Sequence, residues 1–171
     1  MAGDSGDSVS DRDITATDVA SVLRPLEEIE SLMREMYLIS AERFSDNETA
    51  SKLFSRLAFE ESSHMAAVHY LRRLTRQSKA PLVSVQVDMP VIDFELTRLR
   101  TVIPVLPEMG VSEVLEFALA CEQGVAEMHL CGIIASANPG LAGLLHTLGQ
   151  ADKVHAARLE ALLALTRRAG G

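Results

Sequence analysis

The sequence predicts an all-α fold: four long helices in two pairs, with one long crossover between the second and the third. Three observations lead there. Aromatic residues make up only 4% of the chain against 47% hydrophobic residues, and Leu, Ala, Glu, Arg and Met are plentiful, a composition suited to helix-on-helix packing. Apolar residues recur at three-to-four spacing in four segments. Prolines gather between the second and third segments, where Pro81, Pro90, Pro104 and Pro107 fall. The length, 171 residues, suits one domain with a proper core better than two.

The first helix is expected from about Thr17 to Phe44, with Leu26, Ile29, Leu32, Met33, Met36, Tyr37 and Ser40 along one stripe. Pro25 is expected to divide a short leading turn from the main helix, because proline fits a first helical position and not an interior one. The second helix is expected from about Asp46 to Arg76, with Ser45 and Glu48 as a capping box. Leu53, Leu57, Ala58, Glu61, His64, Val68 and Leu71 then share a face. A third helix is expected from an N-cap at Ser112 to about Ala137, broken by Asn138-Pro139-Gly140. Asn138 caps the fourth, with Pro139 in its first turn. That helix runs to about Arg168, and Arg167 and Arg168 oppose its dipole.

Residues 1–16 read as a flexible acidic tail, 17–168 as the bundle and 78–110 as the crossover. Within the crossover, Leu82 to Val87 is expected to be extended and Phe94 to Ile103 a short helix. A connection of that length spans the bundle instead of turning tightly.

The formal net charge of −8 argues against a nucleic-acid surface and concentrates cations around the molecule. No apolar run reaches membrane-spanning length. The opening MAGDSGDSVSDRDITATD lacks the basic and apolar regions of a secretion signal, so a cytoplasmic location is expected. Cys121 and Cys131 lie ten residues apart. On one helix that is roughly 15 Å of rise, beyond disulfide reach. Without a disulfide framework, a reducing compartment is favoured.

The polar positions repeat between the two halves. Glu30 is followed seven residues later by Tyr37, and then by Glu61-Ser62-Ser63-His64. Glu122 is followed seven residues later by His129, and then by Asp152-Lys153-Val154-His155. The step from Glu30 to Glu61 is 31 residues, and from Glu122 to Asp152 it is 30. Leu57-Ala58 precedes Glu61 as Leu148-Gly149 precedes Asp152, and Leu71 and Leu162 each sit seven past the histidine. Residues three apart share a helix face, so Glu61 with His64, and Asp152 with His155, can each grip an ion. Glu30 and Glu122 add carboxylates from the other two helices. Four buried carboxylates are costly without compensation, and two divalent ions cancel their charge. Carboxylates with imidazoles suit iron or manganese and accept zinc.

At these residues the chain resembles the rubrerythrin and ferritin-like di-iron family, in which two helices each supply a Glu and the other two each a Glu-x-x-His. Glu30, Glu61, His64, Glu122 and His155 match that pattern, and Tyr37 matches the inward tyrosine that follows the first ligand. The resemblance spans about Glu27 to His155, apart from the crossover. It implies a ferritin-like four-helix bundle holding two iron ions. It also implies oxidation of Fe(II) by dioxygen or hydrogen peroxide, of ferroxidase or peroxidase type. The chain departs from the family at Asp152, where Glu is usual, and at His129, where a second tyrosine is common. It departs again at Val125, where rubrerythrins place an extra glutamate ligand. No Cys-x-x-Cys pair occurs, so the rubredoxin module of full rubrerythrins is expected to be absent, and a peroxidase role would need an outside reductant.

The metal ligands expected are therefore Glu30, Glu61, His64, Glu122, Asp152 and His155. Tyr37 is expected to hydrogen-bond behind them, and His129 is either such a support, a further ligand or a plain buried histidine. Asp152 is one methylene shorter than Glu and reaches a metal directly or through water. Glu61 and Glu122 are the expected bridging ligands. Glu27, Glu28 and Glu60 are expected on a solvated face, with Glu27 the one candidate for lining the metal's way in. His69 and His146 are expected at the surface or in packing, the methionines as core, and Cys121 as a small buried residue. A homodimer or larger homo-oligomer fits, with neither nucleic acid nor membrane as partner. Two other functions fit the same residues: metal binding or iron storage without turnover, and a metal-free structural bundle.

Overall fold

The computed structural model describes residues 16–77, 89–124 and 139–169. Every regular element is helical, and no strand occurs among the described residues. The helices are α1 (Ala16–Arg43), α2 (Glu48–Gln77), α3 (Met89–Val102), a 3-10 helix (Ile103–Glu108), α4 (Val111–Glu122) and α5 (Pro139–Ala169). None of them is long and apolar enough to cross a membrane.

The turn between α1 and α2 is short, so the two helices pack antiparallel along their length. Its cap differs from the expected Ser45–Glu48 box. Asn47 is the residue that caps α2, its Oδ1 accepting from Ala50 N at 3.1 Å. Ser45 spends its N–H on Glu42 O, and Glu48 turns outward to Lys52 at 2.5 Å. Pro25 also departs from expectation, for it lies inside a continuous α1. An interior proline costs about 3 kcal/mol. Leu23 and Leu26, both buried, flank it, and each contributes about 1.5–3 kcal/mol of burial to offset that cost.

The short helix expected at Phe94 to Ile103 is present as α3, which begins earlier and passes into the 3-10 helix. Pro104 and Pro107 sit in this tighter segment, which lies with α3 against α1. The stretch expected to be extended, 82–87, lies outside the described residues, as does the tail 1–15.

α4 begins before the expected Ser112. Gly110, in extended backbone, is the N-cap, and its N–H donates to Glu113 Oε2 at 2.6 Å. The glutamate three residues on sets the start, which places Ser112 inside the first turn. α4 then ends at Glu122, which breaks the expected third helix at 123–124, and the remainder of that expected helix, 125–137, lies outside the described residues. Gly124, a poor helix former, turns its N–H to Cys121 O at 2.9 Å. His129, Cys131 and Asn138 lie outside the described residues. Pro139 opens α5.

α4 and α5 pack antiparallel, with Arg167 reaching Glu116 at 2.7 Å, and α5 also meets α2. The core is built from stripes of each helix: Leu23, Met36 and Tyr37 from α1, Phe54, Leu57 and Leu71 from α2, Ile92 and Leu99 from α3, Leu115 from α4 and Leu159 from α5. The repeated apolar residues that frame the two motifs are all inside: Leu57, Ala58 and Leu71 in one half, Leu148 and Leu162 in the other.

Candidate metal centre

Four helices bring the six expected ligands to one place. Glu30 comes from α1, Glu61 and His64 from α2, Glu122 from α4, and Asp152 and His155 from α5. Their side chains are at most 10% exposed, so four carboxylates and two imidazoles share an interior that water scarcely reaches. Burial on that scale requires compensating charge.

His64 Nδ1 faces three carboxylates, at 3.1 Å from Glu61 Oε2, 3.4 Å from Glu30 Oε2 and 3.7 Å from Asp152 Oδ1. His155 Nδ1 faces two, at 3.2 Å from Glu61 Oε1 and 3.3 Å from Glu122 Oε1. The two rings stack at 5.2 Å between centroids. Glu61 therefore offers one oxygen to each imidazole. Tyr37 is buried on α1 against Phe54 and donates its O–H to Glu122 Oε1 at 2.6 Å.

Two trios of donor atoms can hold an ion. Glu61, His64 and His155 form one, Glu122, Asp152 and His155 the other, with the atoms of each trio all within 4.8 Å of one another. An ion bound at about 2.0–2.2 Å holds opposed donors about 4.4 Å apart, so small side-chain movements suffice. The donor set fits hard, divalent first-row ions.

The electrostatics show how the buried charges balance one another. Burial raises the Glu61 carboxyl, but hydrogen bonds with His155 and His64 outweigh it and bring it down to about 2. Burial opposes a charge on His155, yet Glu122 and Glu61 outweigh it and lift the imidazole to about 10. A protonated His155 thus supplies positive charge between two carboxylates in the metal-free chain. Burial, reinforced by the neighbouring Glu61 charge, pushes Glu122 up, and burial together with Glu122 keeps the Tyr37 phenol protonated.

Glu60 is a correction to the sequence reading, which placed it on a solvated face. Its Oε2 accepts from His155 Nε2 at 2.9 Å and from Arg158 at 2.6 Å, while Oε1 accepts from Arg56 at 2.9 Å. Burial raises its carboxyl, but the two arginines outweigh that and hold it down. Glu60 therefore orients the ring of His155 from behind. The one hint in the sequence is Arg158, three residues after His155 and so on the same face, a cation in need of a carboxylate. Glu27 and Glu28 do form ion pairs at the surface, Glu27 with Arg72 and His69, Glu28 with Arg100. His69 and His146 are exposed. Glu95, on α3, was not foreseen at all, having no counterpart in the repeat. It is buried, pairs with Arg98 at 2.6 Å, and is raised by that burial. Cys121 is half-buried, and burial pushes its thiol to about 12.

The fold and site together define a class: an all-helical protein with a buried carboxylate–histidine cluster able to hold a metal ion. No protein-family model, curated protein or solved structure matches the chain.

Proposed function

We propose that this chain is a non-haem di-iron protein of the ferritin-like, rubrerythrin-like type that oxidises Fe(II) with dioxygen or hydrogen peroxide. In this reading α1, α2, α4 and α5 form a four-helix bundle, with residues 78–110 crossing between its halves. The carrying observation is that four helices bury two carboxylate-x-x-His pairs and two further glutamates in one cluster, enough donors for two ions with one imidazole each. Bound there, two ferrous ions supply two electrons, enough to take hydrogen peroxide to water or dioxygen to the peroxide level. Manganese and zinc suit the same donors.

The chain's own residues supply the rest. Glu61 gives one oxygen to each imidazole, Oε2 to His64 and Oε1 to His155. Tyr37 fixes Glu122 by its hydrogen bond and stays protonated. His155 gives up its Nδ1 proton to become a ligand and keeps its Nε2 proton on Glu60, which sets the tautomer. The apolar side chains of Ile29, Met33 and Leu99 limit water around the cluster. Electrons to reset the centre come from an outside donor. The reading places the protein in the cytoplasm as a homodimer or larger homo-oligomer.

Loading with ferrous salt under argon, followed by air or peroxide, tests the reading. It predicts about two irons per chain, as in the family, and a ferric absorption band with uptake of oxidant. Tight zinc binding without any oxidation of iron would replace it with metal binding or storage lacking turnover.

A further inference from the structure

A small cavity of about 20 Å³, room for roughly one water, adjoins the cluster. Five carboxylates line it: Glu30, Glu61, Glu122 and Asp152 of the centre described above, and Glu95 of α3. Glu95 is 8% exposed. Its Oε2 holds Arg98 at 2.6 Å. Its Oε1 lies flat against the backbone at Gly124, two residues past Glu122, where an added Cβ would meet it at 3.1 Å. A Cβ at Gly124 would crowd this oxygen and, more closely, Cys121 O at 2.7 Å.

We propose that Glu95 is a fifth carboxylate of the metal centre, delivered by α3, which turns from Arg98 onto a bound ion. The inference rests on the metal-binding reading above. Three features support the turn. The cavity gives the carboxylate somewhere to go. Arg98 keeps electrostatic partners when Glu95 leaves, since its guanidinium lies 5.3 Å from the Phe117 ring centroid and 5.8 Å from that of Phe94. The third feature is charge. Four carboxylates match two divalent ions, and each ion that loses an electron adds a positive charge that a further carboxylate neutralises.

The probe is anaerobic cobalt(II), followed by calorimetry and by its visible absorption, in the full chain and in Glu95→Gln and Arg98→Met. Glu95→Gln should still bind two cobalt ions, the weaker with Kd raised about 10–100-fold, with an altered visible band and a metal-free melting temperature close to the parent's. Arg98→Met frees Glu95 and should tighten the weaker ion; this variant decides the matter if Glu95→Gln fails to fold. Unchanged affinities and spectra in a folded Glu95→Gln, or no tightening in Arg98→Met, reduce Glu95 to a partner for Arg98 and overturn the inference alone. A parent chain that binds no cobalt overturns the metal reading with it.

Discussion

The two halves of the centre look alike in sequence and differ in how they are held. In the α1/α2 half, His64 Nδ1 sits among Glu61, Glu30 and Asp152, at 3.1, 3.4 and 3.7 Å. In the α4/α5 half, two of the candidate ligands each have a dedicated support, and both supports come from the other half. Tyr37 of α1 fixes Glu122, and Glu60 of α2 fixes His155. His155 also belongs to both donor trios, whereas His64 belongs to one. The repeated motif is therefore held asymmetrically, with α1 and α2 positioning side chains of α4 and α5.

The largest test of that asymmetry is to remove each histidine in turn. His155→Ala leaves neither trio whole and frees Glu60, whereas His64→Ala leaves the Glu122, Asp152 and His155 trio intact and should keep about one ion per chain; elemental analysis should therefore find less metal in His155→Ala than in His64→Ala. Equal losses would make the halves equivalent. Next comes Glu60→Ala, expected to weaken metal affinity about 10–100-fold by freeing the His155 ring, measured by manganese titration. An unchanged Kd would demote Glu60 to a partner for its two arginines.

The pH dependence of the metal-free chain probes the same asymmetry through its charges. Glu61, lowered to about 2, contributes stability that is complete above its ordinary 4.5 and lost as pH falls through 2. His155, raised to about 10, contributes stability that is complete below its ordinary 6.5 and lost as pH rises through 10. Glu122 is raised and works against Glu61, costing stability as pH climbs past its ordinary 4.5. Urea unfolding in chelator should therefore show greatest stability in mildly acidic solution and a steady decline toward alkaline pH; a maximum above pH 8 would contradict the charge assignment. The smallest effect is expected for Tyr37→Phe, which removes one hydrogen bond to a buried carboxylate. It should cost about 1.5–3 kcal/mol in the same unfolding experiment while leaving metal content near two.

The ligand cluster was legible because its signal is local and repeated: a carboxylate three residues before a histidine, twice, with near-equal steps back to Glu30 and Glu122. Helix periodicity then leads to one buried face. Glu60 was not legible, because it neighbours Glu61 in sequence and points about 100° away, toward an α5 partner that only the packing reveals. Glu95 hid for a related reason. It lies in the proline-rich connection, outside the repeat, and reaches the cavity only because α3 docks on α1. The helix ends show competition between local signals. Asn47 displaces Ser45 as the cap of α2, and Glu113 draws the start of α4 back to Gly110. The four-to-three spacing that names a helix says little about which of several capping residues wins.

The central claim is that two ions sit side by side, one beside Glu61 and His64 and the other held by Glu122, Asp152 and His155. Anomalous diffraction at the iron edge from crystals grown with ferrous salt under argon tests it directly. The account predicts two peaks within the α1, α2, α4 and α5 interior, one beside Glu61 and His64 and the other beside Glu122 and Asp152. Iron found only at surface carboxylates, with His155 still bonded to Glu61 and Glu122, would contradict it.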